Sequence, residues 1–323
     1  MKRRRAVAAI LLPAVAVHTH AAVTARLGIL AGYPPSAPGA TALWAAFYSE
    51  LEARGWHVDR NLTVLARYSE NHPEREPAYA AELVAAQPQV ILALGSSAVE
   101  ALRRATNTIP IVMTGVSHAV EAGFVRSMAR PGGNVTGVTN QASDMQGKLL
   151  ELMRAVRPEL QRLGLMWSPH NLGSAIGLRD MQAAAGPLGV RVVSLPIERS
   201  EQIEPVLAMA LEQGVQALFA HPTSVIAIAW RQLARWALEH RVATLGQAHW
   251  VRQGFLMSYW AVNTDLFRIA AGFADRILRG AKPATLPVQQ PTRFELVLNL
   301  RTAHAIGVTI PNTLRLRADE IIE

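Results

Sequence analysis

The sequence predicts an α/β protein of two lobes, each built on a parallel sheet. Three observations carry that prediction. The chain has 323 residues, more than one compact core ordinarily holds. Short apolar runs alternate with helix-period stretches along most of its length, the rhythm that gives parallel sheets with right-handed crossovers. The rhythm also occurs twice: Arg162-Leu-Gly-Leu-Met166 repeats Arg26-Leu-Gly-Ile-Leu30 almost letter for letter.

The first copy opens with the strand at 26–30 and a Pro-rich loop. A helix is expected over 41–54, where Leu43, Phe47 and Leu51 recur at spacing four and Gly55 supplies the stop. A strand at 61–68 and a helix at 74–86 follow. Val90-Ile-Leu-Ala-Leu94 is a continuous apolar run, the mark of a central parallel strand. Gly95-Ser96-Ser97 turns it into a helix, and residues 109–113 form another strand. Pro131-Gly-Gly-Asn-Val-Thr-Gly-Val-Thr-Asn140 then reads as a turn and a short strand. It stands between the two copies and is expected to be a hinge.

After a linking helix at 146–156 the second copy runs through a strand (162–166), a loop, a helix (175–188) and a strand (190–195). A helix (203–213), a strand (217–220), the turn His221-Pro-Thr-Ser224, a helix to residue 240 and a strand (242–245) complete it. Gly254-Phe-Leu-Met-Ser-Tyr259 is expected to cross back to the first lobe. Residues 265–279 form a helix with Leu266, Ile269, Phe273 and Ile277 on one stripe, and residues 286–300 cross again. The expected division is lobe 1 at 22–138, completed by about 262–290, and lobe 2 at 139–261, completed by about 291–323.

Half of the residues are hydrophobic and 17% are charged, which fits a globular protein. The net charge of +8 falls to +4 once Lys2, Arg3, Arg4 and Arg5 are set aside, which weakens any case for nucleic acid as a partner. Those four residues precede an apolar run at 6–17 and the small residues Thr19 and Ala21. That is the pattern of a secretory signal peptide at 1–21 cut after Ala21, giving a periplasmic product that does not span the membrane. The absence of cysteine excludes disulfides, thiolate metal sites, Cys nucleophiles and a lipid-modified cysteine. The histidines show no metal spacing, and no cofactor is expected.

Four separated stretches are similar to one known family: the 131–139 motif, Gly254-Phe-Leu-Met-Ser-Tyr259, Leu286-Pro-Val-Gln-Gln-Pro-Thr-Arg-Phe-Glu-Leu-Val-Leu-Asn-Leu300, and Ala305-Ile-Gly-Val-Thr-Ile-Pro311 with Arg317-Ala-Asp-Glu-Ile-Ile322. They resemble the ABC transporter substrate-binding proteins that include tryptophan-binding lipoproteins. The resemblance implies a type I periplasmic-binding-protein fold: two Rossmann-like lobes, three hinge crossovers, and a small-molecule ligand held between the lobes. It also implies an ABC permease and ATPase complex as partners, served by a monomeric binding protein. Many relatives carry Gly-Asp-Pro where this chain has Val116-Ser117-His118-Ala119, and Gly-Pro where it has Trp260-Ala261. A relative's ligand therefore does not transfer to it.

In parallel α/β lobes, ligands meet the loops at the carboxyl ends of strands. Ser96 and Ser97 occupy such a loop, and the helix that follows offers free N–H groups to a carboxylate. Ser97 could alternatively N-cap that helix. His221 and Thr223 hold the equivalent place in the second copy. Trp260 could stack on an aromatic ligand or plug the groove. Asp265 could bind an amine or simply complement a helix N-terminus. Tyr33, Ser117, His118, Asn140 and Asn171 are further loop candidates.

No Gly-x-Gly-x-x-Gly follows a strand, so dinucleotide chemistry is not expected. Gly115-Val-Ser-His-Ala119 is one residue short of a nucleophile elbow, which leaves a hydrolase built on Ser117, Asp265 and His304 as a minor alternative. The stronger alternative is a receptor partner that reports ligand occupancy to a membrane sensor. The leading expectation is a non-enzymatic binding protein that takes an amino acid or related small carboxylate.

Overall fold

The apolar runs become the central strands of two sheets. The structure is a computed structural model that describes residues 24–323, apart from 38, 71 and 141–144. The expected signal peptide lies outside the described residues.

The first sheet contains Ala25–Ala31 (β1), Leu62–Tyr68 (β2), Val90–Leu94 (β3), Ile111–Val116 (β4) and Val135–Thr139 (β5). Its order is β2-β1-β3-β4-β5, and every pairing is parallel. The helices Glu76–Ala85 (α2) and Ser96–Ala105 (α3) pack together over one face, where Leu83, Ile91, Leu102 and Met113 are buried. Thr41–Ala53 (α1) covers the other face with a helix that arrives much later, Asn263–Leu278 (α9). The rings of Trp44 and Phe267 meet edge to face there, with centroids 5.4 Å apart.

The second sheet has seven strands, ordered β12-β11-β10-β9-β8-β6-β7. They are Arg162–Trp167 (β6), Arg191–Pro196 (β7), Ala217–Ala220 (β8), Ala243–Leu245 (β9), Met257–Ala261 (β10), Phe294–Asn299 (β11) and Glu320–Ile322 (β12). Met145–Val156 (α4) and Leu172–Ala185 (α5) lie on one side. Ile203–Glu212 (α6), Ser224–Glu239 (α7) and Ala248–Val251 (α8) lie on the other. The repeated strands β1 and β6 hold matching places, each between the other early strands of its sheet. The largest buried cluster runs from the α1/α9 face of the first lobe, through Met145 and Trp260, to the α4/α5 face of the second.

One expectation is corrected. Residues 254–259 do not cross to the first lobe: β10 pairs with β9 in parallel and with β11 antiparallel, so it stays in the second sheet. The crossing comes immediately afterwards, with α9. The 131–140 motif is the edge strand of the first sheet, and the chain leaves that lobe beyond Thr139. Gly137 explains the motif's composition. Its φ is +136°, and a Cβ there would run into the Met113 carbonyl and come within 2.7 Å of the Met113 nitrogen. No side chain fits where the β4–β5 pairing shifts register. The returning chain lies along β5, with Gln289 N–H donating to Gly137 and Thr139 N–H donating to the Gln289 carbonyl.

Candidate functional site

The carboxyl ends of the two sheets face each other, and the residues that meet there are mostly small and polar. Gly95 starts α3 at φ +92° without a side-chain cap, so the first N–H groups of that helix are left to other acceptors. Ser96 and Ser97 occupy its first turn, and Ser97 is therefore not the N-cap. Across the gap, Gly173 and Gly177 fall four residues apart on α5 and leave two successive turns of that helix bare on one side. A Cβ at Gly173 would lie 3.3 Å from the Ser96 hydroxyl and 3.4 Å from the Ser117 carbonyl oxygen. At Gly177 it would lie 3.2 Å from His221 Nε2 and 3.5 Å from Gln146 Nε2. These bare positions let the first lobe and His221 approach the helix closely.

His118 reaches over from the first lobe, with its Nδ1 3.6 Å from Asp180 Oδ2 on α5. That exceeds a hydrogen bond. Burial holds the His118 pKa below its ordinary value despite the pull of Asp180, so the ring is neutral at pH 7. Its backbone is left-handed at φ 54°, an uncommon state for a non-glycine residue. Next to it, the Ser117 hydroxyl donates to Asn140 Oδ1 at 2.8 Å. His221 follows β8, is 4% exposed, and is held down to about pKa 3 by burial and by His118. It too is neutral.

Several buried polar atoms in this group have no protein partner: His118 Nε2, His221 Nδ1, Gln146 Oε1 and Thr223 Oγ1. Thr223 precedes α7 without capping it, so a second helix N-terminus of this lobe edge is open. Buried polar atoms left unpaired cost about 1–3 kcal/mol each. Several gathered between two lobes suit a polar ligand that pairs with them.

Other expected residues are used differently. The Asn171 side chain accepts from Ser174 N–H and caps α5. Asp265 is occupied by Arg268 at 2.9 Å and Arg293 at 3.0 Å, which supports the helix-terminus reading over the amine reading. Trp260, on β10, is 3% exposed and buried in the shared core. Tyr33, just beyond the end of β1, is half-buried and its pKa is pushed up to about 12, so its hydroxyl keeps its proton. The hydrolase trio is not assembled: Ser117 serves Asn140, Asp265 serves two arginines, and His304 is exposed on the short helix Leu300–Ala305.

Glu76, Gln146 and Asp180 escaped the sequence reading. An acid opening a helix ordinarily marks a solvated end, and Gln146 and Asp180 sit inside helices. The glycines at spacing four on α5 were the one legible hint of a close approach.

The sequence and the fold resemble those of known proteins. The chain is 24% identical over 276 residues to a tyrosine-binding protein of Clostridioides difficile, covering 85% of this chain and 78% of that one. Its fold matches an ABC domain from Streptococcus pneumonia solved in complex with L-Trp. The TM-score is 0.85 at 22% identity, over 93% of this chain and 100% of the other. A conserved domain protein from Vibrio cholerae matches with a TM-score of 0.86 at 24% identity, over 92% and 99%. A model of the ABC transporter substrate binding protein family matches residues 36–322, and the chain belongs to that family.

Proposed function

We propose that the protein is an extracytoplasmic, periplasmic solute-binding protein that holds an amino acid or related small carboxylate between its lobes and delivers it to an ABC permease and ATPase. The observation that carries this reading is the set of unpaired buried polar atoms on both lobe edges, beside the uncapped N-termini of α3 and α7. Free N–H groups and the positive helix end favour a carboxylate by about 0.3–1 kcal/mol, and by up to about 2 when partly buried. Two of the similar proteins are a tyrosine-binding protein and a domain solved with L-Trp, and both of those ligands are amino acids. Among the described residues no helix is long and apolar enough to cross a membrane.

The ligand acts by touching both lobes at once, since only differential contact shifts an open–closed equilibrium. The test is a melting screen of amino acids and small carboxylates. A ligand at 100 times its Kd adds about 2.7 kcal/mol of stability, a shift of several degrees in a chain of this size. Uptake of the hit by cells with and without the gene then checks delivery. No shift with any compound, or turnover of the hit, overturns the proposal.

A further inference from the structure

Glu76 is the least expected acid in the first lobe. It opens α2, yet it is 1% exposed. Its Oε1 accepts a hydrogen bond from the Ser69 hydroxyl at 3.2 Å, and the nearby Ser97 hydroxyl also favours the charged carboxyl. Its Oε2 is buried without a partner. Among the described residues no Lys, Arg or His pairs with it, and the charged neighbour that acts on it is another acid, Glu74. Burial and Glu74 therefore push the carboxyl up to about 7, although the two serines pull the other way.

An acid that merely complemented α2 would sit in solvent at no cost. This one is buried with an oxygen to spare, at the carboxyl edge of the first sheet. Ser69 directly follows β2, and Ser97 lies in the first turn of α3. The neighbouring Ser96 is the residue that approaches Gly173 of the second lobe. The Ser97 side chain, in the first turn of α3, thus lies near both the carboxyl and the helix end that suits a carboxylate.

We infer that Glu76 selects ligands carrying a cationic nitrogen, so that the site takes α-amino acids in preference to plain carboxylates; this rests on the proposed binding function. The ligand's carboxylate meets the N-terminus of α3 while its ammonium supplies the counter-charge that Glu76 lacks. A carboxylate without the ammonium would bring a second negative charge beside an uncompensated one.

The probes are the twenty standard L-amino acids and, for the tightest, its deaminated analogue with the same side chain. Calorimetry on the full mature chain at pH 8 should show the amino acid bound at least about tenfold more tightly. Glu76→Gln should cut amino-acid affinity about tenfold or more and leave the analogue within about threefold. Glu76→Leu should give the same loss of selectivity. Neither variant should melt below the wild type at pH 8, because each removes a buried charge. Binding an ammonium requires the carboxylate form, so wild-type affinity should climb from pH 6 to pH 8, and Glu76→Gln should flatten that climb. Unchanged amino-acid affinity in both variants overturns the inference, as does equal loss for amino acid and analogue. If the wild type binds no amino acid, the proposed binding function itself fails.

Discussion

The first lobe brings to the gap between the sheets the hydroxyls of Ser96, Ser97 and Ser117 and the His118 imidazole, with the buried Glu76 carboxyl behind them; the second brings the His221 imidazole, the Gln146 carboxamide and Thr223. Both edges grew from the same strand pattern, and both present a helix N-terminus without a side-chain cap. The difference lies in the few residues just beyond the matching strands. After β3 the chain turns through a glycine at φ +92°, whereas after β8 it runs through His221, whose burial removes any charge. A repeated scaffold therefore sets two carboxyl-end loops opposite each other, and a few residues in each loop give the two edges different chemistry.

The lobes also differ in how tightly their backbones constrain sequence, and the largest expected effect lies there. Gly137→Ala forces a methyl into the Met113 backbone and should cost about 4 kcal/mol or more, or prevent folding. Gly164→Ala, in the repeated strand of the second lobe, meets only methyl groups of Leu195 and Val215 at 2.9 Å. It should cost about 1–3 kcal/mol by overpacking. Urea denaturation compares the two, and equal costs would remove the contrast.

Next comes the helix that ties the first lobe together. Asp275 of α9 accepts from Trp56 at 2.8 Å and from Arg279 at 2.6 Å, and it also faces Arg54. Burial alone would raise its pKa, but these partners together hold it below the usual value. Asp275→Ala should cost about 3 kcal/mol, read as a lower denaturation midpoint, with little change in ligand affinity. That stability contribution is present above the unfolded carboxylate pKa and fades as pH falls through the folded one.

A bulky residue on either edge should then weaken binding alike. Thr223→Trp and Ser96→Trp should each cost about 100-fold in Kd, roughly 2.7 kcal/mol, and reduce the compaction seen on ligand addition by small-angle scattering. Loss from only one edge would confine the site to one lobe.

A smaller effect is expected from the two neutral histidines. Burial lowers the pKa values of His118 and His221 in the folded protein, so the stability they contribute is full above about pH 6.5 and is lost as pH falls toward their lowered values. Affinity should drop about tenfold between pH 7 and pH 5, and His221→Gln should lessen the drop. The smallest expected change comes from Asp180→Asn, about two- to threefold in Kd, because the His118 contact is long and its ring uncharged.

Strand order was readable as far as local pattern reaches. The runs at 90–94 and 162–166 announced buried parallel strands, and the loops after β3 and β8 were identifiable because ligands meet carboxyl ends. Periodicity does not say which sheet a strand joins, so β10 was assigned to a crossing that begins only after it. Burial decided the rest. Glu76 looks like any acid at a helix start until Ser69, Ser97 and its neighbours close over it. Asp265 looked free to bind an amine until Arg293, 28 residues later, took one of its oxygens.

The late return of α9 has a consequence in time. All five strands of the first sheet are complete at Thr139, but α9, which covers β3, β4 and β5, begins only at Asn263. At a synthesis rate of about 5–20 residues per second, those strands wait roughly 6–25 s with one apolar face only partly covered, by α1. The first lobe cannot close its core early, and a chain bound for export, as its proposed function requires, remains threadable for that interval.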